Sequence, residues 1–192
     1  MLSALTELQW AFIGLLLTIG GTFLEAFITS PPWTWGQDGI QTYSLGVTYQ
    51  IGAVLLVSCL GGKNAAVLSQ IGYLALGLVG FPIFTQGGGL GYFKEPTFGY
   101  ILGFLPGAWV CGSIAFMAAP RLETLTFGCL CGLLTVHAVG LCYLVYLVLS
   151  QTFSQSLWQA VVDYSIHPLP GQLAVACAAA VLAFILRRLM FY

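Results

Sequence analysis

The segment GFPIFTQGGGLGYFKEPTFGYILGF, residues 80–104, interrupts two long apolar runs with glycines, aromatics and the adjacent charges Lys94 and Glu95. Irregular backbone at membrane depth survives only where protein covers it or where it faces a wet cavity, because lipid offers no hydrogen-bond partner. A glycine-rich, aromatic-rich break of this kind is therefore expected to line something. The apolar runs around it are about 20 residues long, enough to cross a hydrocarbon core of roughly 30 Å.

Composition sets the class. Of 192 residues, 59 % are hydrophobic and 6 % are charged, and the mean hydropathy is +0.95. A soluble domain carries roughly 25 % charged residues, so this chain could not clothe a water-facing surface. The expectation is an all-α integral membrane protein in which residues 1–192 form one domain.

Six spans are expected, over residues 8–28, 45–60, 64–79, 98–119, 125–149 and 171–190. The second and third are short and are separated only by Gly61, Gly62 and Lys63, which argues a tight helical hairpin. Pro120 and Arg121 punctuate the fourth and fifth, since proline ends a helix and restricts the residue before it. An even count puts both termini on one side with Lys63, Arg121, Arg187 and Arg188, against Lys94 alone on the other. The positive-inside rule then makes both termini cytoplasmic. Three longer loops, about 29–44, 80–97 and 150–170, share the outer face. The N-terminus has no basic stretch, carries Glu7 and has an apolar run longer than a signal peptide's 7–15 residues, so it reads as the first span.

Few polar residues lie within the spans. Glu25, near the outer end of the first helix, is either a site residue or a hydrated headgroup neighbour. His137, in the middle of the fifth, more often bonds a neighbouring helix than a ligand, and His167 reads as a loop residue. Gln50, Gln70 and Gln172 each carry an amide that must be satisfied in lipid, and some of the three are expected to face a cavity. Gln172 is the best placed, at the outer start of the last helix. Aromatics crowd the outer loops; most suit an interfacial belt, while those flanking residues 87–91 suit a pocket wall. Gly14, Thr18, Thr22 and Ala26 recur every fourth residue of the first helix, a stripe that allows close helix packing within the chain or against a partner.

Catalytic constellations are absent. Gly61, Gly62 and Lys63 do not make a Walker A loop, and neither HExxH nor GxSxG occurs, so the chain does not hydrolyse ATP itself. The six cysteines fall inside spans without a CxxC pair and read as small apolar packing residues. Basic clusters for nucleic acid are missing, and no cofactor is implied.

Several motifs together resemble one transporter family. Residues 47–50, VTYQ, resemble VTLQ at the start of its second helix, and residues 72–84, GYLALGLVGFPIF, resemble YLLLGLxGxPVF. Gly87, Gly88 and Gly89, followed by PTFGYILGF at 96–104, resemble GGxG and GPTGGYLLGF, while LPG at 169–171 resembles the LPGD that opens the last helix. The chain resembles the biotin-specific S components (BioY family) of energy-coupling-factor (ECF) transporters.

That resemblance implies an S-component fold in the cell membrane that captures biotin at its outer face, with the loop between helices three and four as a lid. It implies substrate-binding residues Gln50, Tyr73, Phe84, Gly87, Gly88, Gly89, Lys94, Thr97, Tyr100 and Gln172. Implied partners are a transmembrane coupling protein and two cytoplasmic ATPases. An AxxxA-type interface for the coupling protein would fall on Ala11, Gly14, Thr18 and Thr22. The family's LPGDxxK acid and lysine are Gln172 and Val175 here, and Glu95 and Phe98 replace glycines. Either Gln172 serves the ureido ring as a neutral group, with Lys94 or a loop amide meeting the carboxylate, or the ligand has shifted to another small vitamin. A solitary biotin facilitator is the remaining rival.

Overall fold

A computed structural model describes residues 4–151 and 155–190. Part of the expected outer loop 150–170, residues 152–154, lies outside the described residues. Helix α1 runs Ala4–Phe23, followed by strand β1 (Glu25–Thr29), a 3-10 turn (Pro32–Thr34), the short helix α2 (Trp35–Asp38) and strand β2 (Thr42–Thr48). Helix α3 runs Gln50–Val79, and a 3-10 turn (Leu90–Lys94) leads into α4 (Thr97–Ala115) and α5 (Leu122–Leu149). The chain ends in α6 (Leu157–Val161), a π-helical turn (Val162–Ile166) and α7 (Leu169–Met190). Five of these helical runs are long and apolar enough to cross a membrane.

The α3 run is bent back on itself at Gly62, whose φ of 79° and ψ of 175° are not helical. Two contacts prove the reversal. Gln50 Nε2 lies 2.9 Å from the Tyr73 hydroxyl, although 23 residues of straight helix would separate them by about 34 Å. A Cβ placed on Gly14 of α1 would meet both Val57 and Ser69, which lie on opposite sides of the bend. The backbone geometry at Gly62 is open only to glycine, and it makes the turn with no intervening loop.

The first correction concerns the connection between α1 and α3. The expected all-α fold gives way here to a two-stranded antiparallel hairpin, with Phe27 opposite Ser44 and Thr29 opposite Thr42. Helix α1 stops at Phe23 rather than residue 28, and α3 starts at Gln50 rather than residue 45. Residues 42–48, TYSLGVT, are rich in β-branched and aromatic side chains, and Gly46 with φ 65° cannot sit in a helix. Only Ala26 of β1 is covered, while its neighbours Glu25 and Phe27 are exposed. The Tyr49 amide donates to the Leu24 carbonyl at 2.9 Å, tying the hairpin to both helices.

Small residues set the packing. A Cβ on Gly103 would sit 2.8 Å from the Val136 carbonyl oxygen, and one on Gly107 would sit 2.9 Å from that of Gly132. Helices α4 and α5 thus approach backbone to backbone, as membrane helices do where no bulky side chain intervenes. Ala65, Ala66, Ala108, Ala176, Ala180 and Ala183 fill the centre, whereas Leu8, Phe12 and Leu16 on α1 and Leu182 and Ile185 on α7 face outward. An exterior of this kind suits lipid and not water.

The α1 stripe requires a second correction. Ala11, Gly14, Thr18 and Thr22 are all buried inside the molecule. Gln70 Nε2 donates to Thr18 Oγ1 at 3.1 Å, and Thr22 Oγ1 lies 3.2 Å from the Tyr73 hydroxyl. The stripe expected at a partner interface is therefore occupied by α3.

Replacing Gly62 with alanine should destabilise the protein by about 1–3 kcal/mol through backbone strain alone, because a Cβ there would meet only the Phe116 ring, at an ordinary 3.6 Å. Thermal unfolding in detergent checks this. An unchanged midpoint would mean that the reversal tolerates an ordinary residue.

Candidate ligand site

A cavity of about 250 Å³ opens where β2, α3, α4, α5 and the start of α7 converge. Its volume falls just below the roughly 300–1,000 Å³ of common ligand pockets, so it suits a compact molecule. Val47, Ile51, Ile101, Phe104 and Val136 give apolar walls, and Thr48, Thr85, Thr97 and Tyr100 add hydroxyls. Gln50 and Gln172 supply two amides, and the π-helical turn contributes Asp163 and Tyr164. Asp163 is the single carboxylate of the lining among the described residues, is half-exposed, and lies 3.6 Å from His167. Among the described residues no cation lines the cavity.

Both amides are held from behind. Gln50 Nε2 donates to the Tyr73 hydroxyl, which in turn donates to the Ile83 carbonyl at 2.9 Å. The amide nitrogen is thereby engaged, and the carbonyl oxygen of Gln50 is left for the cavity. On the other wall Gln172 Oε1 lies 2.7 Å from His137 Nε2. With that oxygen as acceptor, His137 carries its proton on Nε2 and accepts at Nδ1 from the Ser165 hydroxyl, 3.1 Å away. Ser165 lies 2.6 Å from the Tyr100 hydroxyl, which closes the chain. The NH2 of Gln172 then remains for the cavity. One wall offers an acceptor and the other offers donors, at fixed positions.

Residues 157–166, expected as part of a loop, are helical. Pro168 lacks the amide that would continue an α-helix, and the wider π turn before it absorbs the defect, with His167 donating to the Val162 carbonyl at 2.9 Å. This widening turns Asp163 and Tyr164 toward the cavity and Ser165 toward His137. None of these three was expected. Their signal was masked by the two prolines, which read as loop punctuation.

The residues expected from sequence divide into two groups. Gln50, Thr97, Tyr100 and Gln172 meet at the cavity. Tyr73, Phe84, Gly87, Gly88, Gly89 and Lys94 do not line it. Tyr73 and Phe84 are buried behind it and begin a row of aromatic contacts that continues through Tyr92 and Phe98 to Tyr143, with centroids 4.6–6.2 Å apart. Gly87 and Gly89 have φ of 113° and 94°, and the loop closes on its own backbone: Phe84 and Gly87 exchange amide bonds, while Gly89 donates to the Gly77 carbonyl at 2.7 Å. Glycines here shape the segment beside the cavity and are not part of its lining. Lys94 is exposed at the end of the 3-10 turn. Tyr92 bonds the Thr97 hydroxyl at 3.0 Å, and burial pushes its phenol above the usual pKa, so it stays neutral. Gln70 is buried between α1 and α3, away from the cavity.

The BioY family model matches residues 5–191. The chain belongs to the BioY family. A protein of Lysinibacillus sphaericus described as a probable biotin transporter BioY is 37 % identical over 139 residues, covering 71 % of this chain and 70 % of that one. An uncharacterised 21.2 kDa protein of Cyanophora paradoxa is 29 % identical over 183 residues, covering 94 % of both chains. The crystal structure of the S-component for biotin from an ECF-type ABC transporter superposes with a TM-score of 0.69 at 21 % identity, covering 98 % of this chain and 95 % of that one. This BioY family member therefore has the S-component fold.

Replacing His137 with alanine should lower stability by about 1–3 kcal/mol, because Ser165 and Gln172 lose a buried partner. Thermal unfolding without ligand measures it. A change within error would mean that water or a rearranged amide replaces the imidazole at no cost.

Proposed function

We propose that this BioY family member is the substrate-binding S component of an ECF-type biotin transporter, and not an enzyme. The observation that carries this reading is the opposed pair of amides. A cyclic urea presents one carbonyl acceptor between two N–H donors. Gln172 offers its NH2 to the carbonyl, and Gln50 offers its oxygen to an N–H, across a cavity of about 250 Å³. The likeness to a probable biotin transporter and to a biotin S-component supports the same substrate.

The ring system occupies the cavity and the carboxylate tail points to its mouth, since no lining residue is cationic. Gln50, Thr97, Tyr100 and Gln172 contact the ligand; Tyr73, Phe84 and Gly87–Gly89 hold the wall behind them. No cofactor is needed. The reversal at Gly62 divides α3 into two spans, giving six in a single membrane domain. Lys63, Arg121, Arg187 and Arg188 then lie at the cytoplasmic end with both termini, and the cavity opens outward in the cell membrane. A coupling protein and two ATPases supply the energy for release inside, because the chain has no nucleotide site of its own. The lipid-facing sides of the helices remain for that coupling protein, since the α1 stripe is covered.

Replacing Gln172 with alanine should weaken biotin binding by about 1–3 kcal/mol, the cost of an unpaired buried polar partner. Equal affinity of variant and parent for labelled biotin would remove Gln172 from the site. Replacing Lys94 with methionine should change the affinity by less than about 1 kcal/mol, as for an exposed charge. A loss specific to the free acid over its methyl ester would instead put Lys94 on the carboxylate.

A further inference from the structure

Away from the ligand cavity, the other end of the bundle holds a group that vitamin binding does not use. Cys59 lies just before the reversal at Gly62, Cys111 near the end of α4, and Cys129 in the first half of α5. Their exposures are 0 %, 0 % and 1 %. The Cys59 sulfur is 3.7 Å from that of Cys111 and 3.6 Å from that of Cys129, and all three lie within 4.8 Å of one another. Three thiolates bound to one ion at about 2.3 Å would stand about 3.8–4.0 Å apart. Three helices thus bring the sulfurs close to the separation that coordination requires.

A second observation lies beside them. Arg187 of α7 is 7 % exposed and reaches α4 at Ala115, one helical turn beyond Cys111. Its Nη1 donates to the Ala115 carbonyl at 2.7 Å and its guanidinium sits 4.3 Å from the Phe116 ring centroid, while Nε has no partner. Among the described residues no carboxylate forms an ion pair with it. A buried cation without a counter-charge is costly, and a thiolate cluster would supply one.

We propose that Cys59, Cys111 and Cys129 form a binding site for copper(I), with Arg187 as its counter-charge. The sulfurs are soft ligands, and the nearest backbone oxygen recorded against them, that of Leu55, is 3.9 Å from the Cys111 sulfur. Soft thiolates select copper(I), whereas zinc calls for a fourth ligand that the apolar surroundings do not offer. The charges balance. As copper(I) enters, two thiol protons leave to solvent, so two thiolates, one thiol and one monovalent ion carry a net single negative charge, which Arg187 neutralises. The ion needs no change of oxidation state. Access is from the end of the bundle where Pro120, Arg121 and Arg188 line open surface.

The test uses the full chain in detergent under anaerobic conditions, with copper(I) delivered from a chromogenic chelator. Cys131, Cys142 and Cys177 are replaced by alanine to leave only the buried trio. Native mass spectrometry should then find one copper retained with the loss of two protons, and X-ray absorption should find three sulfur neighbours without nitrogen or oxygen. Further replacement of Cys59 and Cys129 by alanine should abolish retention. Arg187→Gln should weaken it by about ten- to a hundredfold, as for other residues that support metal ligands. The wild-type chain provides a control independent of folding in the variants: silver(I), a redox-silent substitute, should protect Cys59, Cys111 and Cys129 from alkylation. Retention no greater than in the chain left with Cys111 alone would overturn the proposal. So would a disulfide within the trio, or oxygen or nitrogen ligands on the bound copper.

Discussion

The hydrogen bond from Gln50 to Tyr73 depends on the chain reversing at Gly62, and much of the molecule depends on that reversal. Inside a bilayer a helix satisfies its own backbone, and any break must find partners within the protein. A single glycine in a conformation closed to other residues is the most economical solution, because it leaves almost no loop to satisfy. The two arms it creates converge on α1 at Gly14, with Val57 from one and Ser69 from the other. They also set Tyr73 behind Gln50, so that one phenol hydroxyl links the cavity wall, α1 and the carbonyl of Ile83.

The far wall follows the same logic with different groups. An acid and a lysine characterise this position in the relatives that the motifs resemble, whereas here Gln172 and Val175 stand there. Charged groups buried beside an apolar cavity require partners, and neutral ones are less costly to hold. His137 and Ser165 form a neutral chain that fixes one end of the Gln172 amide and leaves the other free. Valine at 175 is buried against Gly52 of α3 and fills the space between the two helices. The proposed recognition through two amides needs geometry more than charge, and both amides are fixed from behind.

Much of this was legible in the sequence. Long apolar runs, the Gly61–Lys63 break and the basic residues at alternate turns anticipated the helices and their hairpin. The β hairpin was not anticipated, because a hydropathy window averages over residues 25–29 and 42–48 and ignores their β-branched character. Gln50, Thr97, Tyr100 and Gln172 were identified by motif, and they do converge on one cavity. Tyr73, Phe84 and the loop glycines share those motifs but stand behind the wall, since a motif records what must be kept and not whether it touches ligand. The α1 stripe shows a related ambiguity: small residues every fourth position serve an internal helix as well as an external one. Ser165, Asp163 and Tyr164 were hidden by Pro168 and Pro170, and the cysteine trio by its origin on three separate helices.

Calorimetric titration of biotin and of its methyl ester into the purified wild-type protein tests the paired-amide site most directly. One-to-one binding with similar affinity for both is expected, because the ring is held by Gln50 and Gln172 and no cation lines the cavity. Absence of binding to folded, unoccupied protein, or a strong preference for the free acid, would contradict it.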